Sequence, residues 1–377
     1  MVITGIDAYL CHHPLKKPFY PTWIPDYPQT KNSCLIVILH TDEGIDGICC
    51  GVGFQDEAKG IPSLLMPFMM GRDPLRIEDH IQMLRSAYML GYKVWFVEIA
   101  LWDILGKKAN LPIWQLMGGK GDKIPTYAST GEMHKPAKRA EEVLALREQG
   151  FKAVKLRIRW PDKRKDIEYV RVVREAVGDT MDIMVDANQG WPISGIGPWP
   201  RWDLKRAMYT ARAFEELDVR WLEEPLYKHD YEGYARLREY TSVPIAGGEF
   251  NVDLHEFRDL INRGCLDIVQ PDVTLAGGLL QGKKMAAMAE AANLQFSPHT
   301  WTNGMGLAAN LQLMAAVPNC PICEYPIEPP SWIPEDRDFM LTQPILPDSR
   351  GYLTPPKGPG LGVELDMDRI LACGVKL

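Results

Sequence analysis

The sequence predicts an α/β protein in which a small α+β domain precedes a parallel barrel of eight strands. Between about residue 123 and residue 330, eight short apolar runs alternate with amphipathic stretches. A crossover after nearly every run is typical of parallel strands, and eight such strands close a barrel. From the second run onward, polar side chains also stand at the end of each run, where barrels carry their active sites.

Bulk composition excludes several classes of protein. The 377 residues are 46% hydrophobic and 24% charged, which is ordinary for a globular protein. The net charge of -7 without a basic stripe argues against a nucleic-acid surface. The sequence contains no apolar run of about 18 residues, so no membrane span is predicted. The eight scattered cysteines include one ligand-like pair, Cys320 and Cys323, and we expect buried thiols in a reducing cytoplasm.

Residues 1–122 are predicted to form the α+β domain. VITGIDAYLC and CLIVILHTDEGIDGICCG indicate strands, and the second stretch contains a hairpin signal at Asp42-Glu43-Gly44. RIEDHIQMLRSAYML and VWFVEIALWDILGKKAN have helical periodicity. We expect this domain to cap the barrel.

Residues 123–330 are predicted to form the barrel. Its strands are expected within IPTYAST, AVKLRI, DIMVDAN, VRWLEEP, PIAGGEF, DIVQPDV, LQFSPHT and PICEYP. Helices such as KPAKRAEEVLALREQG and LKRAMYTARAFEELD lie between them. Residues 331–377 are rich in Pro and Gly, and we expect them to pack back on the first domain.

The polar residues at the strand ends recur with the rhythm of the βα units. From the fourth run onward their spacings are 26, 23, 27 and 25 residues. Singly, an acidic residue there is more often a helix cap, and a lone histidine is more often a satisfied core or surface residue. The succession favours a functional site at one mouth of the barrel. Its members are Lys155, Arg157, Asp186, Asn188, Glu223, Glu249, Asp272, His299 and Glu324.

Three of these residues are carboxylates that would converge on one point. Asp186, Glu223 and Glu249 cannot remain unpaired together where the dielectric constant is low. A hard divalent cation resolves the repulsion, and ligation by oxygen alone favours Mg²⁺ over Zn²⁺. The sequence therefore predicts a magnesium site with positions left for water and an anionic substrate.

Lys155 and Arg157 stand two residues apart in FKAVKLRIRW, so a strand directs both toward the same face. They would meet the acidic residues and a metal-bound anion. For Lys155, a simple counter-charge and an acid/base role both remain open. For Arg157, contact with a carboxylate is favoured over proton transfer, because a guanidinium does not readily lose its proton.

His299 and Asp272 would cap adjacent strands. A carboxylate bonded to an imidazole fixes its tautomer and raises its basicity, which makes His299 the candidate base. Glu324 would lie across the mouth of the barrel. Burial is expected to raise the pKa of Glu324, so that its protonated form could donate a hydrogen bond to a developing oxyanion.

Motifs along essentially the whole chain resemble those of the enolase superfamily, mandelate racemase subgroup. They are EIALWDILGK, LPIWQLMGG, VDANQGW, WLEEP, GGEF, QPDVTLAGG, SPHT and GPGLGVELD. The resemblance implies a modified TIM (β/α)7β-type barrel, an N-terminal capping domain completed by the C-terminal tail, and one Mg²⁺. It further implies removal of the proton α to a carboxylate to give an enediolate, and the pairing of a Lys or His base with Mg²⁺ is a general example for this superfamily.

The same resemblance assigns roles to individual residues. Asp186, Glu223 and Glu249 would be the metal ligands, and His299 with Asp272 the base on one face of the substrate. Glu324 would hydrogen-bond the enediolate. Asn188 matches the polar position two residues after the first ligand and is expected to contact substrate.

The second strand departs from the family pattern, which often carries Lys-x-Lys with the second lysine as the opposite-face base. Here the motif is Lys155-Leu156-Arg157. A racemase needs one acid/base on each face, whereas a dehydratase can use His299 alone. We therefore predict a hydro-lyase that converts an aldonate or aldarate to a 2-keto-3-deoxy acid. A racemase, epimerase or cycloisomerase using Lys155, or an inactive carboxylate-binding scaffold, are the alternatives.

Specificity is expected from the first domain. HHPLKKPFYPTWIPDYP resembles the mobile loop that closes over the barrel, and GVGFQDEA, residues 51–58, would be a second loop. WPISGIGPWPRW after the third strand would narrow the pocket or contact another subunit, since a homo-oligomer is expected. For each aromatic residue of the first loop, simple packing remains the alternative. The candidates for substrate contact there are His13, Lys16, Tyr20, Trp23 and Tyr27.

Overall fold

The N-terminal part of the chain forms an antiparallel sheet backed by helices. The computed structural model describes residues 1–53, 55–192, 197 and 199–377. Gly44 takes a φ of 70° in the turn between the second and third strands, a conformation that glycine adopts without strain. The elements are β1 (Ile3–Phe19), β2 (Gln29–Thr41), β3 (Gly47–Val52), α1 (Gln55–Gly60), a π-helical turn (Ile61–Leu65), α2 (Met66–Met69), α3 (Ile77–Met89), α4 (Val97–Ala109) and α5 (Ile113–Leu116).

Parallel strands and helices alternate through the next part of the chain. The elements are β4 (Ile124–Ser129), α6 (Pro136–Glu148), β5 (Ala153–Arg157), α7 (Lys163–Val177), a 3-10 turn (Gly178–Thr180), β6 (Asp182–Asp186), α8 (Leu204–Glu215), β7 (Val219–Glu223), α9 (Tyr231–Tyr240), β8 (Ile245–Gly247), α10 (Asp253–Asn262), β9 (Ile268–Val269), α11 (Gly278–Ala291), β10 (Gln295–Phe296), α12 (Gly304–Met314) and β11 (Cys323–Pro326). Each predicted strand run contains one of the strands β4 to β11.

The parallel strands curl into a barrel. They lie in chain order from β4 to β10, and β11 pairs in parallel with β4, so the last strand lies beside the first. On the other side, the Phe296 amide donates to the Asn319 carbonyl at 3.0 Å, and Ser297 Oγ donates to the Ile322 carbonyl at 3.0 Å. Seven helices separate the eight strands, which confirms the predicted (β/α)7β-type barrel over the described residues.

The barrel interior has its own apolar core. One residue from each of six strands, and one from the approach to β11, form a buried cluster separate from the main core. Inward-facing residues of alternate strands fill a barrel of this size in layers. The Trp221 ring meets the Tyr127 ring edge-on at 5.3 Å. The cluster consists of Tyr127, Ala153, Met184, Trp221, Ala246, Ile268 and Ile322.

The C-terminal segment touches both parts of the chain. It contains α13 (Pro334–Arg337), β12 (Tyr352–Leu353), α14 (Met367–Cys373) and β13 (Gly374–Lys376). β13 adds to the N-terminal sheet beside β1, and β12 pairs antiparallel with the barrel strand β4. The division into residues 1–122, 123–330 and 331–377 stays a prediction.

β1 is longer than the sequence predicted. The segment expected as a loop, residues 12–28, is strand as far as Phe19, with His13 opposite Asn32 on β2 and a bulge before Phe19. β13 covers β1 only from Tyr9 to Cys11, so beyond Cys11 one side of β1 is an edge. Prolines are tolerated at such an edge. The remaining connection, residues 20–28, is called the capping loop below.

Glu98 of α4 joins the two parts of the fold by capping α11. Its carboxylate accepts the Leu279 amide at 2.7 Å, the Leu280 amide at 2.9 Å and the Trp102 indole N–H at 2.8 Å. Burial raises the pKa of Glu98 to about 7, although these bonds oppose the rise. The carboxylate thus satisfies orphan donors at the start of a barrel helix.

We expect Glu98→Ala to lower the free energy of unfolding by about 3 kcal/mol, because buried donors lose their acceptor. Glu98→Gln should be milder and should depend on pH. The raised pKa makes the contribution of protonated Glu98 complete below the unfolded-state pKa of about 4.3, and this contribution is lost as the pH rises through about 7. Urea unfolding should therefore show that the free energy of unfolding of Glu98→Gln, relative to that of the wild type, is higher at pH 8 than at pH 5. The same difference in unfolding free energy between variant and wild type at both pH values would contradict the assignment.

Candidate metal centre and active site

Three carboxylates meet at the carboxyl ends of neighbouring barrel strands. Asp186 and Glu223 are the last residues of β6 and β7, and Glu249 follows β8 by two residues. One carboxylate oxygen of each lies within 4.8 Å of the others, and all three side chains are buried. Parallel strands bring their carboxyl ends to one rim, which explains the convergence. These three residues are called the acid cluster.

The acid cluster fits a divalent cation with oxygen ligands. Burial raises the pKa of Asp186 to about 8, the Glu223 carboxylate adds to the rise, and Arg157 opposes it. Burial also raises the pKa of Glu249. Glu249 Oε2 is buried and accepts no hydrogen bond from the described residues. Three buried carboxylates, one of which has an oxygen that accepts no hydrogen bond, with no sulfur or nitrogen donor among them, suit a hard cation.

Glu223 is held in the ionised form. Lys155 Nζ lies 2.6 Å from its Oε1, while Trp221 Nε1 and Gln270 Nε2 donate to its Oε2 at 3.1 and 3.0 Å. Burial alone would raise the pKa of Glu223, but the charge of Lys155 outweighs it and lowers the pKa. Trp221 and Gln270 were not predicted as site residues. The available signal was their position two residues before Glu223 and Asp272, on the same face of their strands.

Strained backbone surrounds the acid cluster. Asn188 and Glu224 have φ of 46° and 43°, a region that residues with a Cβ seldom adopt. The Asn188 amide donates to Asp186 Oδ1 at 2.7 Å and its side chain to Oδ2 at 3.0 Å, so the strained residue orients a carboxylate. Glu224 is buried beside Gly190, where a Cβ would collide with the carboxylate. Burial raises the pKa of Glu224 well above its usual value.

Lys155 lies at the centre of the acidic residues. Its Nζ is 2.6 Å from Glu223 Oε1, 2.7 Å from Glu324 Oε1 and 3.9 Å from Asp186 Oδ2, and the side chain is buried. Burial alone would lower the pKa of Lys155, but the carboxylates outweigh it and raise the pKa. Lys155 is therefore an ammonium ion.

Arg157 is fixed beside Lys155 on the same face of β5. Its Nη1 forms an ion pair with Asp186 Oδ2, and its Nε donates to the Thr130 carbonyl at 2.8 Å. The guanidinium also lies 5.2 Å from the Trp23 ring and 5.8 Å from the Trp301 ring. Burial opposes the charge, but the Asp186 carboxylate and others raise the pKa of Arg157 above its usual value. This geometry makes Arg157 a fixed positive charge and not a proton acceptor.

His299 and Asp272 form the predicted contact. His299 Nδ1 lies 3.0 Å from Asp272 Oδ2, and Nε2 lies 3.4 Å from Glu249 Oε2, so Nε2 faces the acid cluster. Asp272 Oδ1 accepts from the Thr274 amide and hydroxyl at 2.9 and 2.7 Å, and from Asn310 Nδ2 at 3.1 Å. A carboxylate held this firmly fixes the orientation of the imidazole. Burial would lower the pKa of His299, but the surrounding carboxylates raise it to about 9.

The expected direction of the Glu324 pKa shift is wrong. Burial acts to raise the pKa of Glu324, as the sequence suggested, but Lys155, His299 and Arg157 outweigh burial and lower it to about 2. Among the described residues, every polar contact of the Glu324 carboxylate uses it as an acceptor. Ser129 Oγ donates to Oε1 at 2.7 Å, and the Thr300 amide donates to Oε2 at 2.7 Å. Glu324 is therefore the counter-ion of Lys155.

The candidate residues of the first domain are not equivalent. Trp23 packs against Trp301 with ring centroids 5.0 Å apart and so reaches the site. His13 instead stacks on Phe339 at 4.6 Å, and its Nε2 lies 3.4 Å from Asp336, which ties it to the C-terminal segment.

Three other candidates of the first domain, Lys16, Tyr20 and Tyr27, are exposed. Thr22, which the sequence did not indicate, donates its hydroxyl to Asn188 Oδ1 at 3.1 Å. Contact with substrate stays a prediction for Asn188 and for the candidates of the first domain.

Two predicted loops are only partly within the described residues. In residues 51–58, β3 gives way to α1, and Phe54 lies outside the described part. In residues 191–202, positions 193–196 and 198 lie outside it. Trp191 packs near Phe250 with centroids 5.6 Å apart, while contact with another subunit stays a prediction.

The barrel is capped by an antiparallel domain, and carboxylates and a histidine–aspartate pair converge at its strand ends. These features define a class of enzymes that act at the barrel mouth. Comparison with family models gives the particular family. Residues 9–118 match the N-terminal domain of mandelate racemase / muconate lactonizing enzyme, and residues 138–369 match the enolase C-terminal domain-like family. The chain belongs to the enolase superfamily, in its mandelate racemase subgroup, as the sequence motifs predicted.

Relatives of known name catalyse more than one reaction. The chain is 29% identical to D-galactarolactone cycloisomerase of Agrobacterium fabrum, with 98% of each chain covered. It is 30% identical to L-talarate/galactarate dehydratase of Salmonella typhimurium, with 80% of this chain and 73% of the relative covered. A racemase from Streptomyces coelicolor A3(2), solved with bound magnesium, superposes with a TM-score of 0.86 at 26% identity, covering 99% of this chain and 100% of that one. Among the described residues, no helix is both long and apolar enough to cross a membrane.

Proposed function

We propose that the protein is a Mg²⁺-dependent dehydratase of a sugar acid, an aldonate or aldarate, with a 2-keto-3-deoxy acid as product. One observation carries the proposal. His299, paired with Asp272, faces the acid cluster, whereas the position expected for a second base holds Arg157 in an ion pair with Asp186. One competent base suffices for elimination. The name of the Salmonella relative supports the substrate class and the reaction.

Asp186, Glu223 and Glu249 would hold the cation. When bound, Mg²⁺ supplies a positive charge that stabilises the negative charge developing on the substrate carboxylate as the α-proton leaves. Lys155 and Arg157 add positive charge on the same side of the site, next to the carboxylate they would orient. The magnesium-bound structure from Streptomyces coelicolor supports the identity of the ion.

His299 would carry out both proton transfers of the elimination. In the neutral form of His299, Nε2 removes the α-proton while Asp272 holds Nδ1, and the electron pair of the C–H bond passes into the carboxylate to form an enediolate. That electron pair then forms the α,β double bond as the β-hydroxyl departs. The proton on Nε2 passes to the departing hydroxyl, which leaves as water. The resulting enol becomes the 2-keto-3-deoxy acid by tautomerisation.

A racemase, epimerase or cycloisomerase is the second candidate. The observation in its favour is the burial of Lys155 Nζ against Glu223 and Glu324, which puts a second ionisable group within the site. The name of the Agrobacterium relative also agrees with it. This chemistry requires proton transfer on the face opposite His299.

A panel of aldonates and aldarates incubated with protein and Mg²⁺ tests the proposal. Keto-acid release is expected from at least one of them, and solvent deuterium should enter the product. Deuterium exchange into unreacted substrate without keto acid would instead support the isomerase. Binding with neither outcome would indicate an inactive carboxylate-binding protein. A homo-oligomer and a cytoplasmic location stay predictions, and light scattering measures the first.

Arg157→Lys separates the two reactions. Lysine offers one point charge in place of the ion pair, the hydrogen bond to Thr130 and the aromatic contacts, so kcat/KM for elimination should fall about 10-fold or more. A lysine here can also accept a proton, so exchange at the α-carbon should rise relative to product release. Arg212→Lys on the exposed face of α8 is the matched control and should change neither rate. Unchanged elimination and unchanged exchange in Arg157→Lys would contradict the role given to this strand.

A further inference from the structure

A cavity that is partly open to solvent lies between the capping loop and the barrel. It has a volume of about 560 Å³ and is lined by residues 20–22, 25–26, 133–136, 159–160, 165, 168 and 199. This volume suits a small organic ligand. Thr22 lines the space and also donates to Asn188, which in turn binds Asp186. The distal cavity, as we call it, is thus two hydrogen bonds away from the acid cluster.

Arg159 is a buried cation without a counter-ion in this cavity. Its side chain is 3% exposed, and its Nε and Nη1 have no hydrogen-bond partner among the described residues. The guanidinium lies 4.5 Å from the Trp199 ring, and burial lowers the pKa of Arg159 only to about 10, so it stays charged. Asp26 acts on it only at a distance. An unpaired buried charge is costly to a fold unless a ligand completes it.

The backbone around Arg159 is held in place. Asp166 Oδ1 accepts the Trp160 amide at 2.9 Å, and Asp166 Oδ2 accepts Arg206 Nη2 at 2.7 Å. The backbone next to Arg159 is therefore fixed, and the guanidinium packs against the Trp199 ring before any ligand arrives, which reduces the entropy lost on binding.

The remaining charges of the cavity balance one another, so Arg159 gives the cavity its net positive charge. Lys135 and Lys165 stand at its edge against Asp26 and Glu168. His134 is bonded to both Glu132 and Glu142 and adds no unpaired charge. Arg159 is thus the one buried cation among the cavity residues whose charge has no carboxylate in contact, over the part of the chain described.

The spacing of Arg157 and Arg159 matches the length of a sugar diacid. Side chains two residues apart along an extended segment lie on one face, about 6.6 Å apart. A six-carbon chain has five C–C bonds of about 1.5 Å and spans about 6 Å in zigzag form. β5 ends at Arg157, and the Ile158 amide continues its ladder by donating to the Asp186 carbonyl at 3.0 Å, which keeps the chain extended toward Arg159. A substrate with one carboxylate beside Arg157 and the acid cluster would thus extend toward Arg159.

We propose that Arg159 binds a second, distal carboxylate of the substrate, so that the enzyme prefers six-carbon dicarboxylates, the aldarates, over aldonates. The substrate preference rests on the proposed function, whereas the anion site itself does not. Hydrogen bonds between a guanidinium and a carboxylate are among the stronger ones in proteins. Arg159 would act on specificity and not on the proton transfers.

Calorimetric titration of the Mg²⁺-loaded protein tests the anion site. The probes are adipate, an unreactive six-carbon dicarboxylate, and its monoamide, which has the same shape but a neutral end. We expect Arg159→Gln to weaken adipate binding by about 10- to 100-fold and monoamide binding by less than about threefold. Arg159→Lys should recover part of the loss. Equal losses for the two probes, or no loss for adipate, would overturn the proposal.

Two further measurements exclude a structural explanation. Lys165→Gln, an exposed cation of the same cavity, should leave adipate selectivity within about threefold. Without ligand, the Tm of Arg159→Gln should equal or exceed that of the wild type, because an unpaired buried charge is removed. A lower Tm with selectivity intact would assign Arg159 a structural role and overturn the proposal.

Kinetics distinguish failure of this inference from failure of the proposed function. With a matched pair such as galactarate and galactonate, Arg159→Gln should raise KM for the diacid by about 10-fold or more and leave the monoacid within about threefold. Adipate selectivity that depends on Arg159, without keto-acid release from any sugar acid, would contradict the dehydratase alone. Keto-acid release with equal effects on both acids would contradict the distal site alone.

Discussion

His299→Asn should lower kcat by about 10²- to 10⁴-fold while the fold remains intact. His299 Nε2 points at the acid cluster, and its Nδ1 is bonded to a carboxylate that three further donors hold in place. Asparagine can occupy the space and bond Asp272, but it cannot take up the α-proton. The measurement is keto-acid release at saturating substrate and Mg²⁺.

The control for this variant is His255→Asn, an exposed histidine on α10 that should leave kcat unchanged. Circular dichroism and the Tm establish that both variants fold. If the α-proton of a reactive substrate still exchanged at the wild-type rate in His299→Asn, another group would be the base, and Lys155 would be the first to test.

Glu249→Gln should abolish turnover by removing one of the three anionic ligands. Glu249 Oε2 is buried without a hydrogen-bond partner among the described residues and has only His299 Nε2 nearby, at 3.4 Å, so this oxygen fits a cation ligand. An amide keeps the shape but loses the charge that a hard cation requires. Mg²⁺ should raise the Tm of the wild type, as any ligand of the native state does, and should leave the Tm of Glu249→Gln nearly unchanged.

Glu256→Gln is the matched control. Glu256 lies on α10, where its carboxylate accepts Asn251 Nδ2 at 2.7 Å, outside the acid cluster. It should keep both activity and the Mg²⁺-dependent rise in Tm. Full activity of wild-type protein after EDTA treatment and removal of the chelate would contradict the metal assignment.

The sequence could predict the convergence of the acid cluster because topology fixes it. Strands that run parallel in chain order end at one rim, so Asp186, Glu223 and Glu249 at successive strand ends must be neighbours. The same reasoning put His299 beside Asp272 and put Lys155 and Arg157 on one face. Periodicity also sufficed for each barrel strand, since short apolar runs bounded by polar residues left little choice.

Features that depend on several distant residues at once could not be predicted. The charge of Glu324 follows from three cations on β5 and after β10, and burial alone indicated the opposite protonation state. The extension of β1 to Phe19 depends on how far β2 continues as its partner. Arg159 is notable for a contact that it lacks, and a sequence pattern does not report missing contacts.

Arg157 at the end of β5 and Arg159 just beyond it have a consequence for how such proteins diverge. If Arg157 takes part in the reaction and Arg159 selects the substrate, a single substitution at Arg159 would change the substrate specificity without disturbing the reaction. Gene duplication followed by substitutions at such specificity-determining positions would then yield paralogues that share a mechanism and differ in substrate.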